Sequence, residues 1–222
     1  MRKCKVGVVI PAAGIGRRLG SNKPKQFLEI DGIPILQITL QKFQACDAVD
    51  CIVVVSHADF IHEVTDLVKK NNFTKIASIV NGGEHRQDSV WNGLKEIIKN
   101  NVEIILIHDA VRPFVTDEII KDVITASEKF GAAVPAVPLK DTIKVSDEKG
   151  FLIETLDRNK LFAIQTPQGF QKDLIVKAFE KAYVDNYYAT DDANLVERLG
   201  EKIKLIEGDY KNIKITTKED LE

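Results

Sequence analysis

The sequence predicts a three-layer α/β fold: a mostly parallel sheet with helices on both faces and an inserted β-hairpin arm. Three observations lead there. Apolar runs of four to seven residues, rich in Val and Ile and lacking alternation, recur along the chain, as strands buried on both faces do. Between them lie segments with apolar residues at helical spacing, and strand, helix, strand in repetition specifies parallel pairing. From Val137 to Leu161 this rhythm gives way to two short alternating segments about a turn.

Taken in order, Lys5–Ile10 is the first strand. The start "MRKCKVGVVI" imitates a signal peptide, but its apolar stretch of about five residues is shorter than the roughly 7–15 such a segment uses, and Pro11 ends it. Further strands are expected at Cys51–Ser56, Ile76–Val80, Ile104–His108, Ala132–Val137, Ile203–Ile206 and Ile213–Thr216. Helices are expected at Ile35–Ala45, Asp59–Asn71, Arg86–Asn100, Thr116–Phe130, Lys172–Tyr183 and Asp191–Leu199. Thr116, followed by Asp117 and Glu118, suits an N-cap with acids at the positive end of the helix dipole. Asp141–Val145 and Phe151–Leu156 flank "SDEKG" as the hairpin, an arm at about residues 138–161. A lone hairpin is marginal in water, so the arm is expected to pack on a second subunit. No linker rich in Gly, Pro or Ser divides the chain, so one Rossmann-like domain over residues 1–222 is expected.

Composition narrows the partners. Lys and Arg total 31 against 33 Asp and Glu, a net charge of -2, so no global field exists to hold nucleic acid or an anionic membrane. No run of about 18 apolar residues is present to span a bilayer. The three cysteines, Cys4, Cys46 and Cys51, are odd in number and lack a CxxC spacing, which suits reduced thiols in a cytoplasmic protein, with Cys51 in the core. His57, His62, His85 and His108 form no zinc spacing, and His108 reads as packed or structural. Any anion is therefore bound locally.

The local candidate is "VVIPAAGIGRRLGSNKPKQF", residues 8–27. Ligands of parallel sheets bind at strand carboxyl ends, and small residues let backbone N–H groups approach a phosphate. On Gly14 and Gly16 alone, an ordinary glycine turn is an equal reading. Arg17, Arg18, Lys23 and Lys25 tip the balance toward an anion. A P-loop is excluded because residues 14–21 read "GIGRRLGS". A dinucleotide motif fails because Pro24 prevents a helix from starting at once. What remains is an extended cationic loop that wraps a polyphosphate.

"PAAGIGRRLGSNKPKQF" resembles the signature of cytidylyltransferases acting on polyol phosphates, most closely the branch that uses 2-C-methyl-D-erythritol 4-phosphate. "NGGEHRQDSVWNGL" (81–94), "HDAVRPFV" (108–115), "KDTIKV" (140–145), "LDRNKLFAIQTPQGF" (156–170), "TDDA" (190–193) and "EGDYKNIKITTKEDL" (207–221) fit the same family in order, across essentially the whole chain.

The resemblance implies transfer of a cytidylyl group from CTP to a polyol phosphate, with release of pyrophosphate and the help of Mg²⁺ or another divalent cation. It implies that Arg18 and Lys25 hold the triphosphate and that Lys214 reaches the α-phosphate. Pro11, Ala12, Ala13, Gly14, Gly16, Gly82, Gly83, Ser89 and Ala110 are implied as nucleotide contacts. Asp109, Arg112, Thr142, Arg158, Thr166 and Thr190 are implied as polyol-phosphate contacts, with Thr142 and Arg158 reaching across from the partner's arm in a homodimer. Asp109 is also a possible metal ligand, and Thr190 is equally an N-cap. Trp91, at helical spacing with Leu94 and Ile98, reads as core. The family usually runs on through a closing helix beyond the point matching Glu222, which leaves open what packs beneath Lys214. Three rivals stand beside this reading: a ribitol 5-phosphate cytidylyltransferase, a sugar 1-phosphate nucleotidyltransferase, and a CTP-binding protein without chemistry. The "PAAGIGRRLG" loop and the "LDRN" arm favour the methylerythritol substrate over ribitol.

Overall fold

The central strands are apolar on both faces because helices cover both faces. In a computed structural model, which describes residues 5–14, 24–217 and 219–221, strand β1 (Val6–Ala12) turns Val6, Val8, Ile10 and Ala12 into one core cluster and Val9 into another. Strand β4 (Cys51–Ser56) divides likewise, Ile52 and Val54 against Cys51, Val53 and Val55. The first cluster is closed by α1 (Ile35–Ala45), α2 (Ile61–Lys70) and α4 (Asp117–Phe130) through Leu36, Leu40, Phe43, Val64, Ile120 and Val123. The second is closed by α3 (Arg86–Ile97), α5 (Lys172–Val184) and α6 (Asp192–Glu197) through Val90, Leu94, Ile97, Phe179 and Leu195. Each fully buried Val, Leu or Ile contributes about 1.5–3 kcal/mol, so two filled faces make a period-2 pattern read as an unbroken apolar run. Trp91 stacks on Phe179 at 5.7 Å, half-buried against the second cluster and not within the core expected of it.

Strands β5 (Ile76–Asn81), β4, β1 and β6 (Ile104–Ile107) pair in parallel in that order. Beyond β6 comes β11 (Gln168–Gln171), antiparallel, and then β7 (Ala132–Pro138), which also pairs antiparallel with β10 (Phe162–Ile164) and parallel with β12 (Lys204–Glu207). The antiparallel insertion was not legible: "QGFQ" has one large apolar residue and no period. A second unforeseen piece is the hairpin of β2 (Glu29–Ile30) and β3 (Ile33–Pro34), whose turn residues Asp31 and Gly32 both have positive φ, 51° and 76°. That Asp-Gly pair is the local signal that could have revealed it.

The arm is a hairpin of β8 (Lys144–Ser146) and β9 (Leu152–Thr155), shorter than the segments expected. Three expectations need correction. Residues 213–216 form no strand; only Ile215 N–H bonds across, to Val111 O at 2.9 Å, because Ile213 is exposed and the segment does not continue a ladder. The segment expected as one helix at Asp59–Asn71 opens with a 3-10 turn, Ala58–Phe60, before α2. The cap of α6 is Asp191, whose carboxylate accepts the Asn194 N–H at 2.9 Å, and not Thr190.

Candidate active site

Four parallel strands end on one edge of the sheet, and their loops build a cavity of about 380 Å³. After β1 come Ala13 and Gly14; after β4, His57; after β5, Gly82 and Gly83; after β6, His108, Asp109 and Ala110. Pro11, Ala12, Ala13, Gly14, Gly83, Ser89, Asp109 and Ala110 line it, and Lys25 and Lys214 bring cations from opposite ends of the sequence. Its size suits a small ligand. Lys25 opens a 3-10 turn, Lys25–Phe27, pinned to β1 by buried Gln26, whose amide donates to Ala12 O at 2.7 Å. Lys214 is carried by the 213–216 segment, anchored by Ile215, which is buried with Ile35 and Val111. Asp220 then accepts from the Thr216 and Thr217 N–H groups at 2.7 and 2.9 Å.

One wall is made of backbone. Gly82 stands just behind the lining: its N–H donates to Ser56 O at 2.8 Å, and a Cβ on it would overlap Ala13, so the loops after β1 and β5 touch only because this residue is glycine. Gly83 N–H donates to Ser89 Oγ at 3.1 Å, and Ser89 Oγ–H donates to His85 O at 3.1 Å. Asp88 ties the turn down: it accepts the His85 N–H at 2.9 Å and the Tyr183 O–H at 2.8 Å.

Another part of the lining is charged. Asp109, 8% exposed, accepts from Lys214 Nζ at 2.8 Å, lies 3.4 Å from Arg86 Nη2 and 3.7 Å from Arg112 Nε. Burial raises the pKa of this carboxyl, but Arg86, Lys214 and Arg112 outweigh it and hold the group well below the usual carboxylate range. Asp109 therefore stays ionised at neutral pH as a hydrogen-bond acceptor.

Behind Asp109 a buried relay fixes its backbone. His108 Nε2 lies 3.1 Å from Arg112 O, an acceptor only, so Nε2 carries the proton. Nδ1 then accepts the Thr166 O–H at 2.9 Å, and Thr166 Oγ1 accepts the Asp109 N–H at 3.2 Å. Burial, the leading cause, pushes His108 down to about 4. His108 is structural, as its sequence context suggested, and Thr166 supports the site from behind the lining.

Other candidates lie elsewhere. The Arg112 guanidinium is largely buried, donates to Asn212 O at 2.7 Å and Ile164 O at 3.5 Å, and is off the lining. Thr142 and Arg158 sit exposed on the arm, Arg158 donating to Lys140 O at 3.0 Å, and Thr190 is exposed; none of them lines the cavity of its own subunit. Gly16, Arg17, Arg18 and Lys23 lie outside the described residues. The cavity also contains Arg86 and Glu84, which sequence reasoning passed over, and His57 and His85, which it weighed only as metal ligands. For Arg86 a signal existed: a cation in the first turn of a helix opposes the helix dipole and needs carboxylate partners.

The family model for 2-C-methyl-D-erythritol 4-phosphate cytidylyltransferase matches residues 6–222. A protein of that name from Syntrophus aciditrophicus is 46% identical over 220 residues, covering 99% of this chain and 94% of the relative. Another from Clostridium botulinum is 48% identical over 217 residues, covering 98% and 94%. The crystal structure of 4-diphosphocytidyl-2C-methyl-D-erythritol synthase from Anaerococcus prevotii superimposes with a TM-score of 0.87 at 34% identity, covering 99% of this chain and 93% of that one. Sequence, fold and the strand-end cavity agree, and the chain belongs to the 2-C-methyl-D-erythritol 4-phosphate cytidylyltransferase family.

Proposed function

We propose that this chain transfers the cytidylyl group of CTP to 2-C-methyl-D-erythritol 4-phosphate, giving the CDP-alcohol and pyrophosphate for isoprenoid precursor synthesis. The observation that carries the reading is the meeting of Lys25 and Lys214 on one cavity that Gly14 and Gly83 also line. A phosphate oxygen of the polyol phosphate attacks the α-phosphorus of CTP; that P–O bond forms while the bond to the bridging β-phosphate oxygen breaks, and pyrophosphate leaves with the electron pair. A phosphate monoester with second pKa near 6 is already largely ionised at pH 7, so no strong base is needed. The obstacle is charge, and fixed cations oppose it.

In this reading Lys25, with Arg18, neutralises the triphosphate. Lys214 has three N–H donors, so it can keep Asp109 and still present a donor to the reacting phosphates. Gly82, Gly83 and Ser89 read cytosine and ribose through the backbone, while Asp109 accepts from a polyol hydroxyl. The donor chemistry fits magnesium held mainly by the nucleotide, because Mg²⁺ takes one or two carboxylates plus substrate phosphates, and Asp109 is the buried carboxylate on the lining. When bound, the ion neutralises phosphate charge.

The arm supports a homodimer. Phe151, Leu152 and Ile153 are 69%, 68% and 66% exposed, an apolar tip that calls for cover. A second subunit covering it would bring Thr142, Arg158 and their neighbours to the partner's substrate phosphate. The chain is expected to work in the cytoplasm, where the unpaired buried thiols Cys46 and Cys51 stay reduced; among the described residues, no helix is long and apolar enough to cross a membrane. A coupled pyrophosphate assay with CTP, Mg²⁺ and a panel of polyol phosphates tests the reading. Release with the methylerythritol substrate is expected; release with ribitol 5-phosphate alone, or with none, would overturn it.

A further inference from the structure

Arg86 occupies the first position of α3, where the helix dipole disfavours a cation. Asp192 compensates: Arg86 Nη1 and Nη2 reach its two carboxylate oxygens at 3.0 and 2.8 Å in a fork. The same Nη2 turns toward Asp109 Oδ1 at 3.4 Å, and Asp109 in turn holds Lys214. Asp192 is 1% exposed and is absent from the cavity lining. Its chain neighbours are both held by Gln168, whose amide donates to the Asp191 carboxylate at 2.8 Å and accepts the Ala193 N–H at 3.0 Å. Burying an ion pair costs several kcal/mol per ion before pairing returns it, and apolar residues would often hold two helices as well. A charged fork at this junction, ending on the cavity carboxylate, answers to a demand for geometry.

We propose that Asp192 is a positioning residue for the transfer step: it fixes the Arg86 guanidinium, so that Arg86 sets the Asp109 carboxylate and, through it, the Lys214 ammonium. The chain Asp192, Arg86, Asp109, Lys214 then links α6, α3, the end of β6 and the C-terminal segment. Burial disfavours the Arg86 cation, but Asp192 and Asp109 more than offset it, so the guanidinium remains charged throughout.

This inference rests on the reaction proposed above. Turnover by the unaltered protein tests that reaction, whereas ratios among variants test the inference. Asp192→Asn keeps shape and removes the charge, and is expected to lower kcat about 10- to 100-fold and raise KM for the polyol phosphate, the scale on which a 1 Å misplacement registers. KM for CTP should stay within about threefold, because the cytosine wall is held by other bonds. Arg86→Gln should act alike, and the double variant should be no worse than Arg86→Gln alone, since Asp192 acts only through Arg86. If the two losses multiply, or if Asp192→Asn turns over normally, the inference is wrong. Because Asp192→Asn strands a half-buried guanidinium and can hinder folding, Arg86→Lys serves as a second variant. It keeps the charge but cannot fork; a kcat loss at unchanged melting temperature is expected, and full activity would overturn the proposal.

Discussion

The Lys214 ammonium sits 2.8 Å from Asp109, beside Arg86 on the charged wall of the cavity, so its main work in the folded protein is electrostatic. Lys214→Ala and Lys25→Ala should each lower kcat by about 100-fold or more while the melting temperature moves by no more than about 2 °C, checked by pyrophosphate release and thermal unfolding. Equal loss of folding and turnover would contradict that assignment. His108 gives the opposite case, a residue whose charge state matters to stability. Burial holds its folded value near 4 against 6.5 for the free side chain. Between those values the unfolded chain binds more protons than the folded one, so stability rises with pH there. The contribution, on the order of 3 kcal/mol, is complete above about pH 6.5 and is lost as pH falls toward 4. His108→Gln should remove this component: its unfolding free energy, compared with the unaltered protein by denaturant titration at pH 7 and pH 4, should fall less on acidification.

At the scale of elements, the site depends on how closely loops approach. A Cβ on Gly83 would overlap the Asp88 side chain that caps α3 and ties down Tyr183. Gly83→Ala should therefore raise KM for CTP more than it lowers kcat, with about 1–3 kcal/mol lost from stability through overpacking. Steady-state kinetics with CTP varied would reveal the split; an unchanged KM would mean the β5 loop does not touch the nucleotide. The helices and parallel strands were legible because each buries apolar residues at its own period. β10, β11 and the 213–216 segment were not. Phe162 and Ile164 are exposed, and Ile213 likewise, while β11 is buried but carries one large apolar residue, Phe170, so these pieces are placed by neighbours and not by their own pattern.

For the whole molecule, the exposed apolar tip of the arm makes oligomeric state the decisive test. If the proposed homodimer holds, Leu152→Asp, within β9, should shift the protein to monomers in analytical ultracentrifugation and cut turnover at least about tenfold, because in that arrangement Arg158 of the arm serves a partner's site. Mixing Arg158→Ala with Lys25→Ala should partly restore activity, since a hybrid dimer holds one site free of both changes. No recovery under verified subunit exchange would mean the arm serves its own subunit.

The sequence by itself determined the layered parallel architecture, the arm, and the places where Lys25, Asp109, Lys214 and the glycine wall enter the chain. The layers and the arm follow from local properties, burial period and turn residues, and Lys25 from the cationic loop after the first strand; Asp109, Lys214 and the glycine wall were marked by the family resemblance and not by any local period. Only the tertiary structure decided that Arg86 belongs to the charged wall, that Arg112 turns to backbone carbonyls, and that Asp192 stands behind them. Ion pairs between residues distant in sequence leave no period to read. Which cation meets which carboxylate depends on where helices α3 and α6 come to rest against the end of β6, and packing alone sets that.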